Sequence, residues 1–192
     1  FDECLSPEAP IIYQQVALER THRWAKRSLD EHQQGESLIS GQQALFGIVQ
    51  GGRVRELREE SARVIRAMDF DGFGIGGAFA KDDIEVAVGW VTKILPPERP
   101  RHLFGIGAAP DLFAGVEQGI DTFDCVIPTR LARHGALETA TGRINILSTR
   151  YRADLGPIEA GCQCNTCTHY TRAYLAHLFR AKEMLGATLA SI

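Results

Sequence analysis

The first candidate for chemistry is an aspartate near the end of a short apolar run. Residues 122–126 have the pattern of a buried strand, and Asp124 is the acidic residue that this strand delivers at its end. A carboxylate in that position is a candidate nucleophile, able to form a covalent intermediate. Asp121 competes for the same role, but it stands at the start of the strand, where a turn or capping function suits it better.

Two arginines, Arg130 and Arg133, follow this aspartate closely. They are candidates for binding phosphates, and the alternative is that they form ordinary surface salt bridges. The chain has a net charge of −3, yet residues 126–182 carry a net charge of +5 and the remainder −8. A local basic surface is what phosphate binding requires, whatever the overall charge. The basic residues of this segment are Arg130, Arg133, Arg143, Arg150, Arg152, Arg172, Arg180 and Lys182.

Three cysteines, Cys162, Cys164 and Cys167, stand close enough in sequence to share one metal ion. Zn²⁺ prefers sulfur and nitrogen ligands in tetrahedral geometry, so this spacing predicts a structural zinc site. Unrelated free cysteines and a disulfide are the alternatives, and a disulfide suits a reducing compartment poorly. A nucleophilic acid, phosphate-binding cations and a structural metal together indicate an enzyme that works on a nucleic acid.

The size and composition are those of an ordinary globular domain. The chain has 192 residues, of which 44% are hydrophobic and 23% charged. No run approaches the length of a membrane span, and the acidic opening residues do not resemble a secretory signal. We therefore predict a cytoplasmic protein that does not contact the membrane.

The elements that must position these residues alternate between strands and helices. Apolar runs that end in glycine occur at residues 45–52, 72–77 and 103–107, and residues 122–126 form the fourth strand. Helical periodicity separates them at residues 54–68, 84–95 and 110–119, and a longer helix precedes them, around residues 18–29. Such strand–helix repeats predict an α/β fold with a parallel sheet, either an open doubly wound sheet or a (β/α)₈ barrel.

The rest of the chain predicts a β-hairpin over residues 136–150, the cysteine segment, and one helix over residues 168–187. A whole barrel takes about 250 residues, and only four or five strand–helix units fit here. We therefore expect a partial (β/α)₈ TIM barrel with an inserted β-hairpin and a zinc-binding subdomain. The predicted domains are residues 1–150 and 151–192, within a protein that is longer at both ends.

Three motifs resemble those of one known family. They are Phe-Asp-Cys-Val-x-Pro-Thr-Arg at residues 123–130, Gly-Ile-Val-Gln-Gly at residues 47–51 and Cys-x-Cys-x-x-Cys at residues 162–167. Together they are similar to motifs of the tRNA-guanine transglycosylases, and the likeness extends over essentially the whole chain. The resemblance implies exchange of the wobble guanine of G-U-N anticodon tRNAs for a 7-deazaguanine, preQ1 or queuine. It implies a covalent link between the ribose and Asp124.

The resemblance also assigns the other site residues. Asp2 would accept from a guanine-like edge, Gln50 and the backbone of Gly76 and Gly77 would bind its carbonyl side, and Phe104 would stack on the base. Cys4 belongs to the same motif as Asp2. The alternatives are that Asp2 is merely solvated and that the glycines serve only as turns. The tRNA would contact the two arginines, Arg130 and Arg133.

Several further expectations follow from the resemblance. The partners are tRNA and the base, the cofactor is structural zinc, and the assembly is a homodimer. A second catalytic aspartate belongs upstream of Phe1, so we expect the chain alone to be almost inactive. The fourth zinc ligand belongs just after Ile192, with water, His169 or His177 as substitutes. The loop at residues 78–82 would contact the incoming base, and Ala80 there would admit the bulkier queuine.

Other functions remain open at this stage. An archaeal-type transglycosylase that uses preQ0 at another tRNA position would share these motifs. A non-catalytic tRNA-binding subunit of the same fold would have no reason to retain Asp124 together with the two arginines. A barrel glycosidase acting on sugars would need a second carboxylate at a strand end.

Overall fold

The computed structural model of the protein describes residues 1–35, 43–77 and 84–192. The base-contacting loop predicted at residues 78–82 lies outside the described residues. The chain divides into two compact units, Phe1–Cys125 and Val126–Ile192.

The first unit is built on a four-stranded parallel sheet in the order β1-β2-β3-β4. A long helix precedes the sheet, and a helix follows each of the first three strands. The strands are β1 (Phe46–Val49), β2 (Gly72–Ile75), β3 (Arg101–Leu103) and β4 (Thr122–Phe123), and the helices are α1 (Ile11–Gln34), α2 (Arg55–Arg66), α3 (Ile84–Thr92) and α4 (Ala109–Glu117).

This arrangement confirms the predicted parallel sheet covered by helices. All four residues of β2 are buried, as expected for a parallel strand with both faces covered. Phe73 and Ile75 of β2 pack with Val49 of β1 and Leu103 of β3 in the core of the unit. The strand predicted at residues 122–126 is shorter than expected, because its pairing ends at Phe123 and the chain turns into the next helix.

The second unit combines a hairpin with short helices. Its elements are α5 (Ile127–Arg133), β5 (Ala136–Thr139), β6 (Gly142–Asn145), a 3₁₀ turn (Thr149–Tyr151), α6 (Asn165–His169), α7 (Arg172–Ala181) and α8 (Met184–Ala190). The antiparallel hairpin confirms the prediction for this segment. Ala132, Leu137 and Ile146 share a core with Leu175 and Leu189. The compact unit therefore begins at Val126, whereas the sequence predicts a domain boundary after residue 150.

The prediction of one helix over residues 168–187 is wrong, because the chain forms three short helices instead. Tyr170 is extended, and the Thr171 hydroxyl caps α7 by accepting from the Tyr174 N–H (3.1 Å). Lys182 ends α7 in the left-handed conformation (φ 59°), and Glu183 is extended before α8 begins. Among the described residues, no helix combines the length and the apolarity needed to cross a membrane.

The core of the second unit makes a stability prediction. Leu175 is fully buried, so Leu175→Ala removes packed methyl groups and should lower the free energy of unfolding by about 2–5 kcal/mol. Leu155 is 77% exposed, so Leu155→Ala should change it by less than about 0.5 kcal/mol. Urea unfolding of both variants measures the difference, and equal losses would contradict this account of the core.

Candidate active site at the strand ends

The predicted site residues follow the strands of the first unit directly. Gln50 comes after β1, Gly76 and Gly77 after β2, and Phe104 after β3, while Asp124 follows β4. Because the strands are parallel and paired in chain order, their C-terminal ends form one edge of the sheet. The structure therefore brings these five residues to the same edge, where open and closed α/β sheets hold their ligands.

The Asp124 carboxylate is held by two hydrogen bonds to one of its oxygens. Its Oδ1 accepts from the Gly105 N–H (2.9 Å) and from Nε2 of His102 (3.1 Å). Neither bond occupies Oδ2, and the side chain is 56% exposed. An ionised, accessible carboxylate with a fixed orientation is suited to nucleophilic attack.

The same two contacts set the charge of Asp124. The Gly105 N–H, followed by His102, lowers the pKa of Asp124 below its usual value, because both stabilise the carboxylate. His102 is itself oriented by Thr122, whose hydroxyl lies 2.9 Å from Nδ1. Since Nε2 donates to the carboxylate, Nδ1 of a neutral imidazole accepts from the Thr122 hydroxyl.

The amide of Gln50 lies against the carboxylate of Asp2. Gln50 is buried, and its Nε2 donates to Oδ2 of Asp2 (2.6 Å). Its backbone N–H donates to the Ser61 hydroxyl, which also contacts Nε2 of His22 (3.1 Å). Asp2 is therefore bound to a fixed partner and is more than a solvated terminal residue.

The segment that carries Asp2 and Cys4 is anchored on α1 through Glu3. The Glu3 carboxylate accepts from the Tyr13 hydroxyl (2.7 Å) and forms an ion pair with Arg20. Tyr13, followed by Arg20, lowers the pKa of Glu3, so the ion pair persists in mild acid. Cys4 is exposed.

Phe104 is placed to present its ring at this edge. Phe104 is 40% exposed, and its ring meets the His102 imidazole edge to face, with centroids 4.8 Å apart. A Cβ at Gly74 would lie 2.4 Å from the Phe104 ring, so only glycine at that position leaves room for it. A half-exposed aromatic ring can stack on a planar base.

A wide groove of the first unit lies elsewhere. It has a volume of about 1160 Å³ and runs beside β1 and the C-terminal half of α1, where Trp24, His32, Phe46 and Phe70 line it. None of the predicted site residues is part of its lining. The strand-end site is therefore distinct from this groove.

The three cysteines of the second unit come together as the spacing predicts. Their Sγ atoms lie within 4.8 Å of one another. Ligands of a tetrahedral zinc ion with Zn–S bonds of about 2.3 Å would be separated by about 3.8 Å, so the group fits a metal after a small contraction. Among the residues that the structure describes, the group consists of these three cysteines, and neither His169 nor His177 joins it.

The helix α6 affects the thiol pKa of Cys164, which caps it, and contains Cys167. The Cys167 N–H donates to Sγ of Cys164 (3.4 Å), and this hydrogen bond is the main cause that lowers the pKa of Cys164. Burial raises the pKa of Cys167 to about 11. A bound cation would favour the thiolate form of both.

Arg130 and Arg133 lie on α5, three residues apart and therefore on neighbouring positions of one helix face. Both side chains are exposed. In the described ranges neither forms an ion pair, so the alternative of a surface salt bridge is not observed. Both remain available to bind phosphates.

Comparison with known sequences identifies the family. Residues 1–192 match the family described as queuine tRNA-ribosyltransferase. The chain belongs to this family. Queuine tRNA-ribosyltransferases of Lactococcus lactis subsp. lactis (strain IL1403), Herpetosiphon aurantiacus and Bacillus pumilus are 44%, 45% and 42% identical to it over its full length. The matched parts are 50%, 48% and 50% of those proteins.

The family predicted from the three motifs is thus confirmed. The chain spans about half the length of the curated relatives it matches, and it corresponds to their C-terminal half.

Two residues that contact the groups at the strand ends are not predicted from the sequence. His102 contacts Asp124, and Arg58 of α2 donates to the backbone carbonyl of Gly76 (2.6 Å). The signal for His102 was present, because paired parallel strands place residues 102 and 104 beside 122 and 124. Arg58 had no comparable signal, since it lies in a helix that is rich in exposed charges.

The contacts of Asp124 predict how its carboxyl titrates. The pKa of Asp124 is lower in the folded protein than in the unfolded chain, so the ionised carboxylate stabilises the fold at pH values above its unfolded pKa. This stabilisation is lost as the pH falls through the folded pKa. His102→Phe removes one donor and should raise the pKa of Asp124 only partly, because the Gly105 N–H remains. Carbon-13 NMR of labelled aspartate across pH measures this. His134→Phe is the control, and an unchanged Asp124 pKa in His102→Phe would contradict the assignment.

Proposed function

We propose that the chain is the C-terminal half of a tRNA-guanine transglycosylase in which Asp124 is the nucleophile. The observation that carries this proposal is the ionised, exposed Asp124 carboxylate at the same sheet edge as Gln50, Gly76, Gly77 and Phe104. The names of the relatives point to the same reaction, transfer of a base to tRNA.

The proposed reaction has two displacement steps at C1′ of one ribose. In the first, an Asp124 oxygen bonds to C1′, the C1′–N9 bond breaks, and guanine leaves with that electron pair and takes up a proton. In the second, N9 of a 7-deazaguanine loses its proton and attacks C1′, and the ester bond to Asp124 breaks. The target nucleotide must leave the base stack for either step.

The groups around Asp124 suit recognition of a guanine-like base. The Asp2 carboxylate would accept from N1–H and the exocyclic amine, while the Gln50 amide and the backbone at Gly76 and Gly77 would bind the carbonyl side. Phe104 would stack on the ring. Cys4 lies two residues after Asp2 and would belong to the same part of the site.

The wider assembly is part of the same proposal. The described strand–helix units would form part of a (β/α)₈ barrel that the rest of the full-length protein completes. Arg130 and Arg133 would bind the tRNA phosphates next to the extracted nucleotide. The enzyme would work in the cytoplasm as a homodimer, use preQ1 or queuine, and be almost inactive as the 192-residue chain alone.

We further propose that the metal held by Cys162, Cys164 and Cys167 is zinc in a structural role. Three sulfur donors at this separation suit zinc better than magnesium or calcium, which prefer oxygen ligands. The ion would stabilise the segment around α6, since structural zinc contributes folding free energy directly.

Replacement of the nucleophile tests the reaction. In the full-length protein, Asp124→Asn should abolish the covalent tRNA–enzyme adduct, because an amide does not form the ester with C1′. Denaturing gels of enzyme mixed with labelled tRNA reveal the adduct. Asp121→Asn is the matched control, since an asparagine oxygen can still accept from the Arg101 N–H (2.8 Å). Adduct formation by Asp124→Asn would refute the proposed role.

Zinc content tests the metal site. Cys164→Ser in the full-length protein should bind less than about a tenth of the zinc of the parent protein, because one thiolate ligand is lost. Elemental analysis after gel filtration gives the zinc-to-protein ratio. Cys125→Ser should keep the parent ratio, and equal zinc in both variants would show that the cysteine group is not the site.

A further inference from the structure

Arg58 makes hydrogen bonds to backbone carbonyls at the ends of both β1 and β2. Its Nε donates to the carbonyl of Gly52 (2.8 Å), and its Nη1 donates to the carbonyl of Gly76 (2.6 Å) and contacts that of Val49 (3.5 Å). The side chain has no exposed surface. Burial lowers the pKa of Arg58 to about 10, so the guanidinium remains charged at neutral pH.

The turn after β2 is built around this guanidinium. Gly77 has a φ of 119°, and a Cβ at that position would lie 2.3 Å from Nη2 of Arg58. A side chain at Gly77 would therefore collide with the buried cation as well as strain the backbone. The glycine and the arginine fit together as one local arrangement.

The hydrogen bond to Gly76 fixes the direction of the next N–H group. The described peptide bonds are trans, and the carbonyl and N–H of a trans peptide point in opposite directions. Because the Gly76 carbonyl points at Arg58, the Gly77 N–H points away from it. A charged donor makes this a strong hydrogen bond, so the peptide resists rotation.

We propose that Arg58 is a positioning residue that turns the Gly77 N–H toward the carbonyl oxygen of the bound base. The assignment rests on the proposed function, because it needs a guanine-like base at this edge of the sheet. Arg58 itself does not touch the base. It acts through the Gly76–Gly77 peptide, and its bond to Gly52 ties the same peptide to the turn that follows Gln50.

The guanidinium suits this role better than an ammonium group. Its planar fork donates to carbonyls of two turns at once, whereas lysine presents a single rotating ammonium at the end of a flexible chain. Arg58→Lys keeps the positive charge and should leave the peptide free to rotate. The variant therefore separates orientation from charge.

The test compares the binding of two free bases, guanine and 2-aminopurine. Guanine has the oxygen that the Gly77 N–H would bind, whereas 2-aminopurine lacks both that oxygen and the N1–H that would donate to Asp2. Calorimetry on the full-length parent protein should show guanine binding at least about tenfold more tightly, because 2-aminopurine leaves both protein groups unpaired. In Arg58→Lys the preference should fall at least about threefold, because the Asp2 contribution is the same in both proteins, and the 2-aminopurine affinity should be nearly unchanged.

Arg63→Lys is the matched control, since Arg63 lies on the same helix but is exposed and pairs with Glu59. It should keep the full preference for guanine. A folded Arg58→Lys protein that keeps the parent preference would overturn the proposal. Equal weakening of both bases would also overturn it, because that is the result of a merely structural role.

A parent protein that binds neither base would instead refute the proposed function. If Arg58→Lys does not fold, hydrogen exchange of the Gly77 amide in the parent protein decides the question. Guanine should slow that exchange at least about tenfold and 2-aminopurine should not. Equal exchange with and without guanine would overturn the proposal.

Discussion

The candidate site depends on one constraint, the parallel pairing of four strands in chain order. This pairing brings the residues that follow each strand to one edge, so Gln50 and Asp124 share a site although they are far apart in the chain. The strands themselves leave little room for polar chemistry, and every residue of β2 is buried. Polar chemistry therefore lies at the strand ends, where backbone groups such as the Gly105 N–H and the Gly76 carbonyl bind side chains.

The backbone at these strand ends stabilises charges of both signs. The Gly105 N–H stabilises the Asp124 carboxylate, while the carbonyls of Gly52 and Gly76 stabilise the Arg58 guanidinium. The two charges differ in burial, and that difference separates their chemistry. The exposed carboxylate is able to react, whereas the enclosed cation is able only to order the peptides around it. Fixed dipoles of this kind need no rearrangement when a ligand binds.

The sequence predicts those features of the structure that depend on the pattern of buried apolar residues or on the spacing of the cysteines. Alternating apolar runs and helical patterns predicted the sheet, and the cysteine spacing predicted the sulfur group. It does not predict the features that depend on individual hydrogen bonds. The apolar positions between residues 168 and 187 suggest one continuous helix, and the cap at Thr171 and the left-handed Lys182 break it. Arg58 has the composition of a surface residue, and its burial depends on carbonyls that the fold supplies.

The second unit links the sulfur group to the exposed arginines through its own packing. Helices of five to ten residues are marginal alone, so their contacts decide whether α5 is ordered. The Thr166 hydroxyl, beside Cys167, donates to the Leu189 carbonyl of α8 (2.7 Å), and α8 packs against α5. A metal ion on the cysteines would hold α6, and through α8 it would hold the helix that presents Arg130 and Arg133. Loss of the metal should therefore loosen α5 and the placement of Arg130 and Arg133, because the contact runs from α6 through α8 to α5.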